Sequence, residues 1–116
     1  VEPEGADSMY QSFHRQKAVK LKKVNTIADS LGSPMAMTYS FGIAQNFVDA
    51  IVRVKDEELV RAMHLMRENL NLMVEPACAA SLAGLLGPLK EMVQAKSISI
   101  IACGSNISYD RYQKLV

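Results

Sequence analysis

Two cysteines in 116 residues are too few for a disulfide scaffold, and Cys78 and Cys103 lack C-x-x-C spacing. Both fall in segments that read as buried, which predicts reduced thiols and, by default, a cytoplasmic setting. His14 and His64 have no partner at zinc-ligand spacing. An excess of one charge is missing too: 13 Lys and Arg stand against 12 Asp and Glu, and a formal net charge of +1 argues for neither nucleic acid nor a membrane surface. The local run of Lys17, Lys20, Lys22 and Lys23 has no interleaved aromatics and reads as a solvated loop. No apolar stretch approaches the roughly 20 residues of a membrane span, and the first residues form no apolar signal-peptide core. The glycines stand singly at 5, 32, 42, 84, 87 and 104. They build neither a G-x-G-x-x-G segment nor a loop that could cradle a phosphate.

What is present is ordinary for one globular domain: 49% hydrophobic and 22% charged residues. Val1 to Pro3 reads as the end of a strand, and Ala6 to Gln16 as a short helix. Residues 17–40 carry no sustained period and are punctuated by Gly32, Ser33 and Pro34. Phe41 to Asn46 suggests a helical turn or two, and Asp49 to Val54 a short strand. A clear amphipathic helix follows. Asp56 is its expected cap, and Leu59, Met63, Met66 and Leu70 recur at helical spacing as core residues, with Arg61, Arg67 and Glu68 on the water side. A second helix has Pro76 in its first turn, where a missing N–H costs little. Its small residues Ala77, Ala79, Ala80, Ala83 and Gly84 predict close packing against a sheet. Gly87-Pro88 ends or kinks it, Leu89 to Ala95 adds a helical segment, and Tyr109 to Leu115 a tail helix. Strands separated by helices predict an α/β fold with parallel pairing. The divisions are 1–16 (strand end and helix), 17–55 (loop-rich stretch and short strand) and 56–116 (helices, last strand and tail). There is no internal repeat.

The most informative segment is Ser97-Ile-Ser-Ile-Ile-Ala-Cys-Gly-Ser-Asn-Ile-Ser108. Ile98, Ile100 and Ile101 read as a strand buried on both faces of a parallel sheet, stopping at Cys103-Gly104-Ser105-Asn106. In open α/β sheets ligands sit beyond the carboxyl ends of strands. Gly104 there allows close backbone approach, and its neighbours offer hydrogen-bonding groups. Upstream, Val74-Glu75-Pro76-Ala77-Cys78-Ala79-Ala80-Ser81 sets a carboxylate just before a helix of small residues. Thr26-Ile27-Ala28-Asp29-Ser30-Leu31 and the opening Val1-Glu2-Pro3-Glu4-Gly5-Ala6 precede it.

These four segments, in this order and spacing, resemble the C-terminal part of the serine/threonine dehydratases, fold-type II enzymes that use pyridoxal phosphate. The resemblance runs from Val1 to about Ser108. It implies part of a parallel-sheet, three-layer α/β large domain. It also implies a pyridine-facing role for Cys103, beside Gly104. A thiol or hydroxyl there only shares a hydrogen bond with the ring nitrogen, where an aspartate would hold it protonated. The weaker electron sink suits elimination of a β-leaving group. Glu75 corresponds to a glutamate near the cofactor ring. Ser30 stands where many relatives have Gly in an A-D-G segment bordering the substrate, which puts the substrate pose in question, and Asp29 beside it reads equally well as a structural loop carboxylate. Some relatives hold a divalent cation through two carboxylates and a backbone carbonyl, as an oxygen-only Mg²⁺ or Ca²⁺ site should. Glu2 and the Ala6 carbonyl match that set, Ser8 replaces the second carboxylate, and Asp7 is its neighbour.

The same resemblance implies a lysine that forms a Schiff base and a glycine-rich phosphate loop, both upstream in the family. None of Lys17, Lys20, Lys22, Lys23, Lys55, Lys90, Lys96 and Lys114 sits in the family's S-x-K setting. The expectation is therefore a C-terminal portion of an L-serine/L-threonine dehydratase, inactive alone. It would be completed by its N-terminal portion or by a homo-oligomer partner. Serine racemisation is the neighbouring activity, and a truncated binding or scaffold protein the non-catalytic alternative. An unrelated nucleotide-binding domain is disfavoured by the missing G-x-G-x-x-G.

Overall fold

The computed structural model describes residues 1–94 and 96–116. Its sheet has two short parallel strands, β1 (Glu2–Pro3) and β2 (Arg53–Val54), with Glu2 opposite Arg53 and Pro3 opposite Val54. The Glu2 N–H donates to the Val52 carbonyl at 2.9 Å. Among the described residues five α-helices accompany them: α1 (Ser8–Arg15), α2 (Thr38–Phe47), α3 (Asp56–Leu70), α4 (Pro76–Leu86) and α5 (Tyr109–Leu115). Among the described residues, no helix is long and apolar enough to cross a membrane.

The core lies where α3 meets α4. Leu59, Ala62, Met63 and Met66 of α3 are buried against Cys78, Ala79, Ala80 and Ala83 of α4, with Val54, Val74, Ala28 and Tyr112 closing the cluster. Each large side chain removed from water here contributes about 1.5–3 kcal/mol. The small face of α4 packs on α3 and also against β2, the close packing on a sheet that the sequence suggested. It also meets the residue before β1: a Cβ on Gly84 would lie 2.5 Å from a Val1 methyl, so a larger residue there must push Val1 aside. Tyr112 fastens α5 to this core, its hydroxyl donating to the Met63 carbonyl at 3.3 Å.

Helix α3 departs from expectation at both ends. Its N-cap is Lys55, whose N–H donates to the Glu58 carboxylate at 2.7 Å. The Asp56 carboxylate instead accepts from the Thr26 hydroxyl at 2.7 Å and the Ile27 N–H at 3.0 Å, tying down the loop before the next turn. Leu70 is 57% exposed, because the chain reverses immediately after it through Asn71 in the left-handed region (φ 55°). The strand expected over 49–54 narrows to its last two residues. The helical segment expected over Leu89–Ala95 is a 3-10 turn, Glu91–Val93, and Ala95 lies outside the described residues.

The largest departure is at Ser97–Cys103. No strand forms there, and Ile98, Ile100 and Ile101 are 47, 37 and 76% exposed. A strand exists only as a paired ladder, and the described residues offer this segment no parallel neighbour. What holds it is α4: the Ser81 hydroxyl donates to the Ile101 carbonyl at 3.0 Å.

Candidate active-site cleft

Where α4 begins, three of the sequence-nominated residues converge. Glu75 precedes Pro76, and its N–H donates to the Gly104 carbonyl at 3.2 Å. Its carboxylate accepts from the Ser30 hydroxyl at 3.0 Å, joining residues 45 apart in the chain. Gly104 has φ +108°, and a Cβ there would lie 2.7 Å from Glu75 Oε1. Only a glycine fits that backbone with Glu75 so close. Ser30 belongs to a 3-10 turn, Asp29–Leu31, which presents its hydroxyl to Glu75. Asp29 pairs there with Arg111 of α5 at 2.9 Å. Ile27, Asp29, Ser30, Glu75, Asn106 and Arg111 are among the residues lining a polar cleft of about 170 Å³ between these segments.

Cys103, next to Gly104, is exposed, whereas the sequence placed it in a buried strand end. The correction follows from the missing strand: with no ladder on either side, nothing in the described chain covers the thiol. Cys78 is buried as expected. Burial pushes the Cys78 thiol pKa above its ordinary value, with Cys103 and Glu75 adding to the rise. His14 and His64 are both exposed.

The residues nominated for a cation lie at a separate corner, where β1 runs into α1. The Glu2 carboxylate accepts from the N–H groups of Met9 (3.1 Å) and Tyr10 (2.6 Å), two of the donors that a helix start leaves unpaired. Burial raises the Glu2 carboxyl pKa, while these N–H bonds pull it down and nearby Asp7 adds to the rise. Ala6 and Ser8 are buried beside it. The Asp7 side chain, 6% exposed, pairs with Arg53 at 3.0 Å and accepts from the Gln11 amide at 2.8 Å.

A comparison with protein families matches residues 1–104 to the pyridoxal-phosphate dependent enzymes. The chain belongs to this family. The chain is similar to the phenylserine dehydratase of Ralstonia pickettii, 43% identical over 91% of this chain and 32% of that protein. It is similar to the L-threo-3-hydroxyaspartate ammonia-lyase of Saccharomyces cerevisiae, 36% identical over 100% of this chain and 35% of the relative. Among solved structures, it resembles maize serine racemase with a TM-score of 0.88 and 31% identity, covering 98% of this chain and 37% of that one. These neighbours are fold-type II enzymes, and the α/β arrangement with parallel strands agrees with them. The chain spans about a third of the length of the curated relatives it matches.

The residues of this pyridoxal-phosphate family member fit one wall of a cofactor site. Gly104 presents backbone without a side chain, Ser30 and Cys103 can donate or share a hydrogen bond, and Glu75 anchors the first two together. Sequence reasoning missed Arg111. Its link to Asp29 crosses 82 residues, and it lies beyond the family match, so neither a motif nor a spacing marks it.

Proposed function

We propose that this chain forms the cofactor-facing wall of a dehydratase that removes the β-hydroxyl and amino group of L-serine, L-threonine or a related hydroxy amino acid, yielding a 2-oxo acid and ammonia. The observation that carries the reading is the junction of Ser30, Glu75 and Gly104, which gathers three separate segments around a polar cleft. Pyridoxal phosphate, when bound, would supply the electron sink that lets the β-substituent leave. The chain's part is to seat it. Cys103 would give the ring nitrogen a neutral hydrogen bond, Glu75 fixes the turn carrying Ser30, and Gly104 leaves room for the Glu75 carboxylate beside the cleft. The lysine and the phosphate loop would come from a further portion of the family's domain, on the same or another polypeptide, or from a homo-oligomer partner.

The likeness to serine racemase favours a second reading, racemisation at the same Cα. One preparation tests both, provided the lysine-bearing portion is present: 2-oxo acid and ammonia are measured from each hydroxy amino acid, and D-serine by chiral chromatography. The expected result is 2-oxo acid as the main product and at least a tenfold loss, about 1.4 kcal/mol in the barrier, on Cys103→Asp. D-serine as the main product would replace the first reading with the second, and unchanged turnover in Cys103→Asp would remove Cys103 from the site. The chain alone is expected to release no ammonia, and borohydride to fix no cofactor on its lysines.

A further inference from the structure

The cation expected at Glu2, the Ala6 carbonyl and Ser8 can be tested against the corner itself. An Mg²⁺ or Ca²⁺ site of oxygen ligands needs carboxylates free to turn towards the ion. Here both Glu2 oxygens accept backbone N–H groups of α1, and Ser8 brings no charge. The buried carboxylate of Asp7 is engaged by Arg53 and Gln11, and Glu4 is exposed. Among the described residues, no buried side-chain nitrogen or oxygen lacks a hydrogen-bond partner, and no three His, Cys, Asp or Glu side chains are gathered as a metal would need. The donor set does not fit a divalent cation.

Beside the exposed Glu4, the corner still holds two carboxylates withdrawn from solvent, Glu2 and Asp7, and it already contains a cation. Arg53 lies opposite Glu2 in the β1–β2 pair, donates to Asp7 at 3.0 Å, and packs its guanidinium over the Tyr10 ring at 4.3 Å. Tyr10 is the residue whose N–H binds Glu2. One guanidinium thus touches the side chain next to Ser8 and the ring of the residue that holds the other carboxylate. A guanidinium is always charged and needs no free ligand from solution, and stacking on an aromatic ring fixes its plane. We propose that Arg53, in place of a divalent cation, balances the Asp7 carboxylate while the α1 N–H groups hold Glu2, so that the β1–α1 corner of this protein is stable without metal.

Thermal unfolding of the protein, stripped by chelator and then given millimolar Mg²⁺ or Ca²⁺, tests this without reference to activity. The midpoint is expected to stay where it is in all three conditions, and to fall by about 5 °C in Arg53→Met, which leaves Asp7 without its charged partner. Arg53→Lys, keeping the charge without the planar fork, is expected to fall in between. A midpoint raised by either ion would overturn the proposal and restore the Glu2, Ala6 and Ser8 set. So would an Arg53→Lys variant no more stable than Arg53→Met. Should Arg53→Met be too unstable to purify, Tb³⁺ titration of the unaltered protein decides. No tyrosine-sensitised luminescence is expected, and a saturable signal lost in Glu2→Gln would overturn the proposal.

Discussion

At Gly104 the backbone sits at φ +108°, and the place a Cβ would take is 2.7 Å from Glu75 Oε1. An alanine there is strained in its own conformation and must also push Glu75 away from Ser30. Gly104→Ala is therefore expected to lower stability by about 1–3 kcal/mol, read as a lower urea midpoint. Ser30→Ala removes only an exposed hydroxyl bond and should leave that midpoint almost unchanged. The two thiols separate on the same physical grounds. Cys103 is exposed and Cys78 buried with a raised pKa, so iodoacetamide should modify Cys103 at least about tenfold faster in the folded protein. Burial also raises the Tyr112 hydroxyl pKa above its ordinary value. Both groups are favoured in their neutral forms by folding. Their contribution is complete below the ordinary values of 9.0 and 10.0, and is lost as pH rises through the higher folded values. The thermal midpoint should therefore drop in strongly alkaline buffer, and drop less in a Cys78→Ala, Tyr112→Phe double variant.

Among the elements, α3 shows how local pattern and distant contact divide the work. Its Leu59–Met63–Met66 stripe was legible because helical spacing is written in adjacent residues, and all three side chains are fully buried. Met63→Ala should cost about 2–5 kcal/mol, measurable by urea unfolding. Leu70 lies on the same stripe yet is exposed: periodicity marks a face, but the chain's reversal at Asn71 decides how far that face is covered. Asp56 was legible as a carboxylate at a helix start. Its actual partners, Thr26 and Ile27, are 30 and 29 residues away, where no sequence period reaches. The cleft divides in the same way. Glu75, Ser30 and Gly104 were nominated one motif at a time, whereas the bonds joining them and the Asp29–Arg111 pair exist only in the folded chain. The isoleucine run of 98–101 was legible as extended and apolar, but its pairing was not, since a strand's neighbours are not encoded in its own residues.

At the scale of the whole molecule, the described chain measures 39 × 36 × 19 Å. Nineteen ångströms is under two helix diameters, so few elements are covered on both sides. The consequence is concentrated on Ile98, Ile100 and Ile101, which combine exposed β-branched side chains with backbone outside any ladder. Such an edge is a template for another strand, and the most abundant strand in a pure sample is the same segment of a second copy. Net charge of only +1 supplies little repulsion to keep copies apart. Sedimentation velocity over a micromolar series should therefore show an average mass that climbs above 12.8 kDa with concentration. A lysine at the most exposed of the three, Ile101→Lys, places charge on that edge without removing any buried contact, and should bring the mass back towards the monomer. If the unaltered chain stays at 12.8 kDa throughout the series, the isoleucine segment is not acting as an open edge, and folding of the chain alone must protect it in some other way.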